Sequence, residues 1–424
     1  MNKPVLEVIV VGAGHAGICV SFYLAKQGIS HLVFEQGRIG EVWRSQRWDS
    51  FKMNSANKLN LLPHQAPYFE DPDAFASATE FALALENYVQ QEKLPVKEYC
   101  SVLSVHIDQQ RAIFRVTVSE TGKQTTYLSR QLVIASGGQN RIRIPGFANQ
   151  LAKSVVQLHA SEYKNAHQLP DGKVLVVGSA QSGTQIAQDL LRSGRNVFLS
   201  TAQVGRIPRR YRGKDIFDWL VEIGFYDTHT DEITDPSLLR LKNPQVSGAG
   251  ERGKTSSLQS LARGGAVILG RADRAEANTI FFQPNTSSNV KYADEFSRHV
   301  KQLIDEYIQK NKVFAPLADV DVDDVPDEDA SCASDLTKLD LVEQAITSII
   351  WTTGFSGDFS YLPLPVLNEE KLPSHRNGVG VVNGLYFIGL PWLRKRQSAI
   401  IMGIREDAEF IVGHIVNSSY LGRQ

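Results

Sequence analysis

Two glycine-rich turns in this 424-residue chain have the residue types and spacing that hold a phosphate. They are VVGAGHAG, residues 10–17, and VVGSAQSG, residues 176–183. In such a turn the first glycine makes the bend, the second lets the backbone approach a pyrophosphate, and the third lets helix and strand pack closely. The following helix offers unpaired N–H groups and a partial positive charge. Each turn therefore predicts a dinucleotide site, with Gly12, Gly14 and Gly17 in the first and Gly178, Ala180, Gln181, Ser182 and Gly183 in the second.

An acidic residue follows the first turn at the sequence separation that is typical of a ribose-binding carboxylate. Glu35 lies 23 residues after Gly12, at the end of the apolar strand HLVFE. A carboxylate at this place accepts hydrogen bonds from the ribose hydroxyl groups. We therefore expect Glu35, with the adjacent Gln36, to bind an adenine dinucleotide without a 2'-phosphate. The alternative is a surface glutamate beside a structural turn.

The second turn lacks this acid. Counting 23 residues from Gly178 leads to Thr201. A carboxylate about 4 Å from a 2'-phosphate would repel it by roughly 4 kcal/mol per charge pair at an effective dielectric near 20. The downstream stretch GRIPRRYRGK offers Arg206, Arg209 and Arg210 for charge-assisted bonds to that phosphate. The second site is therefore predicted to take NADP(H), unless the arginines form a solvated face.

Ala180 stands where the second turn would have its middle glycine. Alanine is the smallest side chain after glycine, so we expect its methyl group to shift the phosphate and leave the site usable. Gln181 and Ser182 lie at the start of the helix and can donate hydrogen bonds to the phosphate.

The elements around the turns repeat in the same order. Gly12 and Gly28 are 16 residues apart, as are Gly178 and Gly194, and each pair encloses a helix that leads to a short apolar strand. Repeated strand–turn–helix–strand units predict an α/β fold with two Rossmann-type domains. Periodicity further predicts helices over 16–27, 79–93 and 295–310 and an antiparallel meander over 102–134.

The composition excludes several classes of function. Charged residues make up 21% of the chain and the net charge is -1, which argues against a nucleic-acid-binding protein. No apolar run approaches the roughly 20 residues of a membrane span, and no signal-peptide pattern is present, so the cytoplasm is the expected location. Cys19, Cys100 and Cys332 are too scattered for a zinc site or a redox pair. The acidic run 318–330 lacks the glycine and terminal glutamate of a calcium loop, so we expect a solvated connection and no metal.

Taken in order, these motifs resemble the flavin-containing monooxygenases, including the plant YUCCA type and bacterial relatives. Other segments extend the resemblance over almost the whole chain: GEVW (40–43), IASGGQNRIRIPG (134–146), HASEY (159–163), WTTGF (351–355) and LYFIGLPWLRKR (385–396). The ASG and TTG triplets are similar to the hinges where that family's chain passes between its domains. The resemblance implies two Rossmann-like domains of the three-layer ββα type: a discontinuous FAD domain, 1–160 and 335–424, and an NADPH domain, 165–330.

The resemblance also implies roles for single residues. Asn54, in MNSAN, stands where the family often has an asparagine near the flavin edge, and it is the candidate catalytic residue. The alternative for Asn54 is a turn-forming residue. Trp43 and Arg44, after GEV, and Gly389, near the end of the chain, are implied to contact the cofactor.

His159 matches the end of the family fingerprint F-x-G-x-x-x-H-x-x-x-[FY], with Tyr163 as its last position. Lys153 and Val155 stand where the fingerprint has phenylalanine and glycine. His159 is implied to bind a cofactor, and a surface pair with Tyr163 is the alternative. The departure from the fingerprint leaves the efficiency of oxygenation open.

The activity that the resemblance implies is an FAD- and NADPH-dependent monooxygenase. NADPH at the second turn would reduce FAD at the first, and reduced flavin with O2 would form a C4a-hydroperoxide that oxygenates an N, S or carbonyl centre of a small molecule. Two alternatives stay open: an NADPH oxidase or reductase that releases H2O2, and a non-catalytic redox-sensing flavoprotein. No nucleic acid or membrane partner is expected, and a homodimer stays open.

Overall fold

A computed structural model describes residues 4–65, 70–108, 110–240, 243–246, 253–363 and 365–421. Within these residues the two largest sheets are a mixed sheet with a parallel centre and a parallel sheet, each with a glycine turn at the carboxyl end of one strand. The elements are numbered here in chain order.

The α-helices of the described residues include one directly after each glycine turn. They are α1 (His15–Lys26), α2 (Glu41–Ser45), α3 (Ala78–Gln91), α4 (Gln181–Arg192), α5 (Ile216–Glu222), α6 (Leu258–Arg263), α7 (Thr286–Asn311) and α8 (Ile401–Leu421). Short 3-10 segments cover Asn57–Leu59, Gly146–Gln150, Ala166–Gln168, Thr230–Glu232 and Pro236–Arg240.

The strands are mostly short, and the longest ones form the meander and the cores of the two sheets. They are β1 (Val5–Val11), β2 (His31–Phe34), β3 (Val96–Lys97), β4 (Cys100–Asp108), β5 (Ile113–Glu120), β6 (Lys123–Ile134), β7 (Arg141–Ile142), β8 (Val156–His159), β9 (Lys173–Val177), β10 (Val197–Ser200), β11 (Arg206–Ile207), β12 (Arg210–Tyr211), β13 (Lys214–Asp215), β14 (Gln245–Val246), β15 (Val267–Leu269), β16 (Ala272–Glu276), β17 (Thr279–Phe282), β18 (Lys338–Asp340), β19 (Ile346–Trp351), β20 (Phe355–Ser356), β21 (His375–Arg376), β22 (Val379–Gly380) and β23 (Leu385–Phe387).

The larger sheet carries the first turn. Its strands lie in the order β21–β22–β23–β6–β1–β2–β3, and β4 and β5 continue from β6 as the predicted antiparallel meander. Within this sheet β23, β6, β1, β2 and β3 pair in parallel with one another, whereas β22 and β5 run antiparallel to β23 and β6. Val8, Ile9 and Val10 of β1 are fully buried, as expected for a parallel strand that is covered on both faces.

The smaller sheet carries the second turn. Its strands lie in the order β15–β10–β9–β19–β8, and every neighbouring pair is parallel. The second turn follows β9, and α4 leads on to β10. Two such units confirm the predicted α/β fold with two Rossmann-like dinucleotide-binding domains.

The two units, when they are defined by the sheets to which their strands belong, have bounds that differ from the predicted domain bounds. Strands β8 and β19 both belong to the smaller sheet, although the predicted FAD domain, 1–160 and 335–424, contains them. The reason is that β19 fills the place between β9 and β8 and buries an apolar run there. The second unit, defined by its sheet, therefore extends from 156 to 351. Strands β7 and β20 pair with each other where the chain passes between the sheets.

The helix predicted over 16–27 is observed one residue earlier, as α1, and the bounds of two other predicted helices require correction. The helix predicted over 79–93 begins earlier, at Ala78, because Ser77 forms a capping box with Glu80 in place of the predicted threonine cap. The helix predicted over 295–310 is longer, Thr286–Asn311, because its first turns carry polar residues that weaken the apolar pattern.

The acidic run 318–330 requires a correction, because it is not a purely solvated connection. Asp324 is 6% exposed and contacts the guanidinium group of Arg206 and, at 2.7 Å, the Nζ of Lys301. Asp294 of α7 binds Arg206 from another side at 2.5 Å. A buried guanidinium requires such paired carboxylates. The run therefore holds its loop against α7.

Asp407, on α8, is a buried acid whose charge costs stability. It is 2% exposed, and burial raises its pKa from 3.8 to about 6, although Arg394 lies 3.3 Å away and opposes the change. Because the pKa of the folded state lies above that of the unfolded state, the contribution to stability is complete below about pH 4 and is lost as the pH rises through 6. The difference corresponds to about 3 kcal/mol.

We predict that Asp407→Asn raises the thermal unfolding midpoint above pH 7 and changes it little near pH 4, because the amide removes the buried charge. Thermal unfolding followed across this range measures the effect. Asp319→Asn, on an exposed loop, is the matched control. An equal shift of the unfolding midpoint near pH 4 and above pH 7 would contradict the raised pKa of Asp407.

Candidate functional site

The two glycine turns have nearly the same backbone geometry. Gly12 and Gly178 have φ of +103° and +114°, which side chains rarely allow. A Cβ on Gly17 would lie 1.9 Å from the carbonyl oxygen of Gly12, and a Cβ on Gly183 would lie 1.8 Å from that of Gly178. In both units the helix therefore contacts the preceding strand backbone to backbone, as the sequence predicted.

The middle positions of the turns also correspond. Gly14 has φ −76° and ψ −176°, and Ala180 has φ −77° and ψ −167°. These are extended torsions that any residue adopts, so Ala180 occupies its place without backbone strain. A Cβ on Gly14 would meet no atom within 4 Å. The middle position of the first turn therefore borders open space at the helix N-terminus, and Ala180, which is partly exposed, narrows the second turn by one methyl group.

The hinge triplets lie directly behind the turns. A Cβ on Gly12 would lie 2.7 Å from the carbonyl oxygen of Ala135, in ASG, and one on Gly178 would lie 2.7 Å from Oγ1 of Thr352, in TTG. The Thr352 hydroxyl is also 2.8 Å from the carbonyl oxygen of Val177 and 2.9 Å from that of Gly178. The chain therefore passes between the two sheets at the points that support the phosphate turns.

Glu35 lies beside the first turn, as predicted. It is 8% exposed, and its two carboxylate oxygens accept hydrogen bonds from the N–H groups of Ala13 at 2.8 Å and Gly37 at 2.9 Å. Burial raises its pKa, and these two donors oppose the change. Each oxygen keeps a second lone pair for a ribose hydroxyl. The adjacent Gln36 is exposed.

A small cationic cavity lies beside Trp43 and Arg44. Arg44 forms an ion pair with Glu86 at 2.5 Å. The Arg47 guanidinium lies 4.8 Å from the ring centre of Trp43, and burial lowers its pKa to about 10. Lys164 donates to backbone carbonyl oxygens in the same place. The cavity measures about 200 Å³ and is lined by Trp43, Arg44, Arg47, Trp48, Asp49, Phe51, Ser77, Ala78, Thr79 and Lys164.

Asn54 lies where the two units meet. Its Oδ1 accepts a hydrogen bond from Nε2 of Gln185, on α4, at 2.9 Å. Its backbone carbonyl accepts one from Nη1 of Arg209 at 2.6 Å. Arg209 is fully buried and donates through Nε to Asp215 at 2.8 Å. Asn54, from the first unit, is thus held by two residues of the second unit.

The hydrogen bond between Asn54 and Gln185 determines which of their amide atoms remain available to a bound molecule. With its Oδ1 occupied, Asn54 keeps its Nδ2 group as a donor. Oε1 of Gln185 is buried and has no hydrogen-bond partner within the described ranges. An unpaired buried acceptor costs about 1–3 kcal/mol, so a donor on a bound molecule would be stabilised beside it.

Two side chains predicted to bind the second dinucleotide are engaged within the protein. The amide of Gln181 donates to the carbonyl oxygen of Val246 at 2.8 Å and accepts from its N–H at 2.9 Å. Thr201 is 1% exposed, and its Oγ1 donates to the carbonyl oxygen of Leu269 at 2.7 Å. Ser182 is partly exposed on the first turn of α4. Phosphate contacts here are therefore left to backbone N–H groups and Ser182.

The three predicted phosphate-binding arginines lie in different environments. Arg206 is 2% exposed between Asp294 and Asp324, and Arg209 is fully buried against Asp215. Because buried guanidinium groups are stabilised by such carboxylates, we reassign Arg206 and Arg209 to structural roles. Arg210 is exposed on β12, and its phosphate-binding role stays a prediction.

His159 supports the hinge. It is fully buried, its Nε2 lies 3.0 Å from the carbonyl oxygen of Gly354, in TTG, and its Nδ1 accepts a hydrogen bond from the N–H of Ser161 at 3.2 Å. Its ring packs edge-on against Phe355. Both ring nitrogens are thus engaged within the protein, so the implied cofactor contact is corrected to a structural one. Tyr163 donates to Asp189 at 2.7 Å.

Gly389 brings the end of the chain to the first turn. It has φ +76°, and a Cβ there would lie 3.3 Å from the Cβ of Ala16 on α1. The segment from Gly389 to Ile401, where α8 begins, therefore starts beside the helix that follows the first turn.

Three residues of the site were not predicted from the sequence, although a motif or a residue spacing in the sequence pointed to each of them. Thr352 stands in a triplet that was interpreted as a hinge alone. Gln185 follows Gln181 by four residues on α4, and Arg47 follows Trp43 by four. On α4 this spacing places Gln181 and Gln185 on one helix face, whereas Arg47 lies just beyond the end of α2.

Among the described residues no group of His, Cys, Asp and Glu is suited to hold a metal ion. No described helix is long and apolar enough to cross a membrane.

Comparison with known proteins supports this arrangement. Residues 9–213 match the family described as pyridine nucleotide-disulphide oxidoreductase. The uncharacterized oxidoreductase CzcO-like of Geobacillus kaustophilus is 31% identical over 418 residues, which cover 98% of this chain and 99% of that protein. The probable indole-3-pyruvate monooxygenase YUCCA9 of Arabidopsis thaliana is 28% identical over 224 residues, 51% of each chain.

Solved structures share the fold. The flavin-containing monooxygenase of Stenotrophomonas maltophilia has a TM-score of 0.66 and 18% identity, and the match covers 98% of this chain and all of that one. The structure of OTEMO with FAD and NADP has a TM-score of 0.59 and 14% identity, with 99% and 87% covered. Fold and site thus define a flavin-dependent oxidoreductase. The chain belongs to the family of the CzcO-like oxidoreductase, and its similarity to YUCCA9 and to the flavin-containing monooxygenase structure supports the resemblance drawn from the sequence.

Alanine substitutions at Gly14 and Gly17, the second and third glycines of the first turn, separate an effect on flavin binding from an effect on the packing of the helix. Gly14→Ala places a methyl group in open space, as Ala180 does in the second turn, so we predict an unchanged unfolding midpoint of the apoprotein and weakened binding of flavin. Gly17→Ala forces a Cβ against Gly12, so we predict a loss of both, with about 3 kcal/mol of destabilisation. Thermal unfolding and flavin absorbance measure the two effects. Full flavin content in Gly14→Ala would contradict the assignment.

Proposed function

We propose that this protein is an FAD-containing, NADPH-dependent monooxygenase that inserts one atom of O2 into an N, S or carbonyl centre of a small molecule. The overall reaction is NADPH + H⁺ + O2 + substrate → NADP⁺ + H2O + oxygenated substrate. The observation that carries the proposal is the pair of turns with matching torsions, joined through Asn54. FAD would be held at Gly12–Gly17 and NADPH at Gly178–Gly183.

Residues at the first turn fit FAD. The open space at Gly14 accommodates a pyrophosphate at the N-terminus of α1, and the free lone pairs of Glu35 suit the ribose hydroxyls. When bound, FAD supplies the electron transfer between NADPH and O2 that amino-acid side chains lack. The protein's own contribution is to hold both molecules and to exclude water between the units.

Dithiol chemistry is not part of the proposal, although the matching family's description names disulphide oxidoreductases. Cys19, Cys100 and Cys332 are all free. Burial raises the pKa of each thiol, which disfavours the reactive thiolate. The electrons of NADPH are therefore left to O2 as their acceptor.

Asn54 is proposed as the residue that touches the reacting groups. Gln185 holds its oxygen and Arg209 holds its backbone, so its Nδ2 donor is fixed in direction. The Arg209 guanidinium lies 4.2 Å from the ring centre of Phe75, and this contact helps to exclude water. A donor fixed in this way stabilises developing negative charge on a neighbouring oxygen.

A cytoplasmic location stays a prediction, and homodimer assembly stays open. Both rest on the sequence.

Asn54→Ala tests that role. We predict that NADPH consumption in air continues but that oxygenated product per NADPH falls several-fold while H2O2 rises, because the fixed donor is lost. NADPH absorbance, peroxide and product are measured together over a panel of amines, sulfides and ketones. Asn311→Ala, at the exposed end of α7, is the control.

Unchanged coupling in Asn54→Ala would remove the role of Asn54. Peroxide as the sole product of the native protein, with every compound of the panel, would instead favour the oxidase alternative.

Arg210 and Arg209 should respond differently to replacement. One charge-assisted bond is worth about 1.5–3 kcal/mol, and 1.4 kcal/mol corresponds to tenfold. We therefore predict that Arg210→Ala raises the KM for NADPH about tenfold and leaves the KM for NADH nearly unchanged. Arg209→Ala should lower kcat with both nucleotides, because it releases Asn54 and leaves Asp215 unpaired. Steady-state kinetics with both nucleotides measures this. Equal effects of Arg210→Ala on NADPH and NADH would contradict the 2'-phosphate assignment.

A further inference from the structure

Three consecutive cations follow Gly389, and they differ in their partners. Arg394 lies 3.3 Å from Asp407, and Lys395 lies 2.7 Å from Glu406. Arg396 is partly buried, and no carboxylate lies at ion-pair distance from it among the residues that the structure describes. Burial lowers its pKa, and Tyr226 is the neighbour that opposes the change. The third cation thus keeps its charge available to a ligand.

Aromatic rings fix the position of Arg396. Its guanidinium lies 3.8 Å from the ring centre of Phe225 and 5.7 Å from that of Trp392. Its N–H donates to the carbonyl oxygen of Thr228 at 3.0 Å. A guanidinium stacked on a ring and held at its backbone loses little further freedom when it binds a ligand.

The backbone of Trp392 is strained at this place. Its φ is +54°, in the left-handed region that a bulky residue rarely adopts. The hydroxyl of Thr230 donates to its carbonyl oxygen at 2.8 Å and holds this conformation. Such strain persists where the surrounding structure imposes it, frequently at functional sites.

Tyr226 connects Arg396 to the junction between the units. It is 5% exposed, its ring stacks on Phe217 with centres 6.0 Å apart, and both Arg396 and Arg209 lower its pKa against the effect of burial. Arg209 is the residue that holds Asn54. The Arg209 guanidinium lies 5.7 Å from the ring centre of Phe217, so the packed rings of Phe225, Tyr226 and Phe217 connect Arg396 to the residue that holds Asn54.

We propose that Arg396 binds the carboxylate of the substrate, so that the substrates of this protein are small organic acids with an aromatic or other apolar body. The inference rests on the function proposed above. The paired N–H donors of Arg396 match the two oxygens of a carboxylate. One guanidinium without a second available cation suits a single negative charge better than a phosphate dianion. The rings of Phe225 and Trp392 suit an apolar body beside that charge.

Two probes share an aromatic ring and a reacting sulfur but differ in charge, so they separate the contribution of the carboxylate from that of the apolar body. They are 4-(methylthio)benzoate and its neutral methyl ester. Calorimetric titration of the FAD-loaded protein is expected to give at least tenfold tighter binding of the acid than of the ester. Arg396→Gln should abolish this difference by weakening the acid alone. Arg396→Lys, which keeps the charge without the paired donors, should retain part of it. Lys395→Gln removes the same charge one residue away and should change the acid's affinity little.

Equal affinities of acid and ester for the native protein would overturn the proposal. So would an equal loss of acid binding in Lys395→Gln and Arg396→Gln, because it would indicate general attraction rather than a site. Thermal unfolding checks the fold of each variant, and the native comparison decides the question if Arg396→Gln does not fold. Selective binding of the acid, with NADPH converted to H2O2 and no sulfoxide, would support the anion site and count against the proposed monooxygenase.

Discussion

The fold of this protein depends on one backbone contact that occurs twice. At each turn a helix touches the strand before it so closely that a Cβ would lie within 2 Å of a carbonyl oxygen. This contact requires glycine at positions 17 and 183, and it directs the helix N-terminus away from the sheet. The unpaired N–H groups at that end are then available to a phosphate. Ala135 and Thr352, in the hinges, pack against the first glycine of each turn, and Glu35 accepts a hydrogen bond from Ala13 of the first turn.

The joint between the two units is built from buried polar residues. His159 binds the carbonyl oxygen of Gly354, Thr352 supports the second turn, and Arg209 connects Asp215 to Asn54. Buried polar groups need partners, so each bond restricts how the second unit sits on the first. The residue proposed for catalysis is thereby positioned by groups on the opposite unit.

Sequence patterns predicted the features that depend on local chemistry. Glycine spacing identified both turns, and apolar runs identified the parallel strands, since these depend on neighbours along the chain. The sequence did not indicate which sheet β8 and β19 join, because sheet membership depends on contacts between distant segments. The arginines were misjudged for the same reason. Composition showed a basic stretch, but only the fold reveals that Asp294, Asp324 and Asp215 neutralise Arg206 and Arg209. The pairing of Gln185 with Asn54, 131 positions apart, was equally beyond a local pattern.

The central claim is that the two turns bind two different dinucleotides that exchange electrons across the joint at Asn54. Anaerobic stopped-flow mixing of the FAD-loaded protein with NADPH tests this most directly. The account predicts that oxidised flavin absorbance is lost at a rate that saturates with NADPH. It also predicts that Ala180→Gly lowers the half-saturating concentration and leaves the limiting rate nearly unchanged. Flavin that stays oxidised under saturating NADPH would contradict the account.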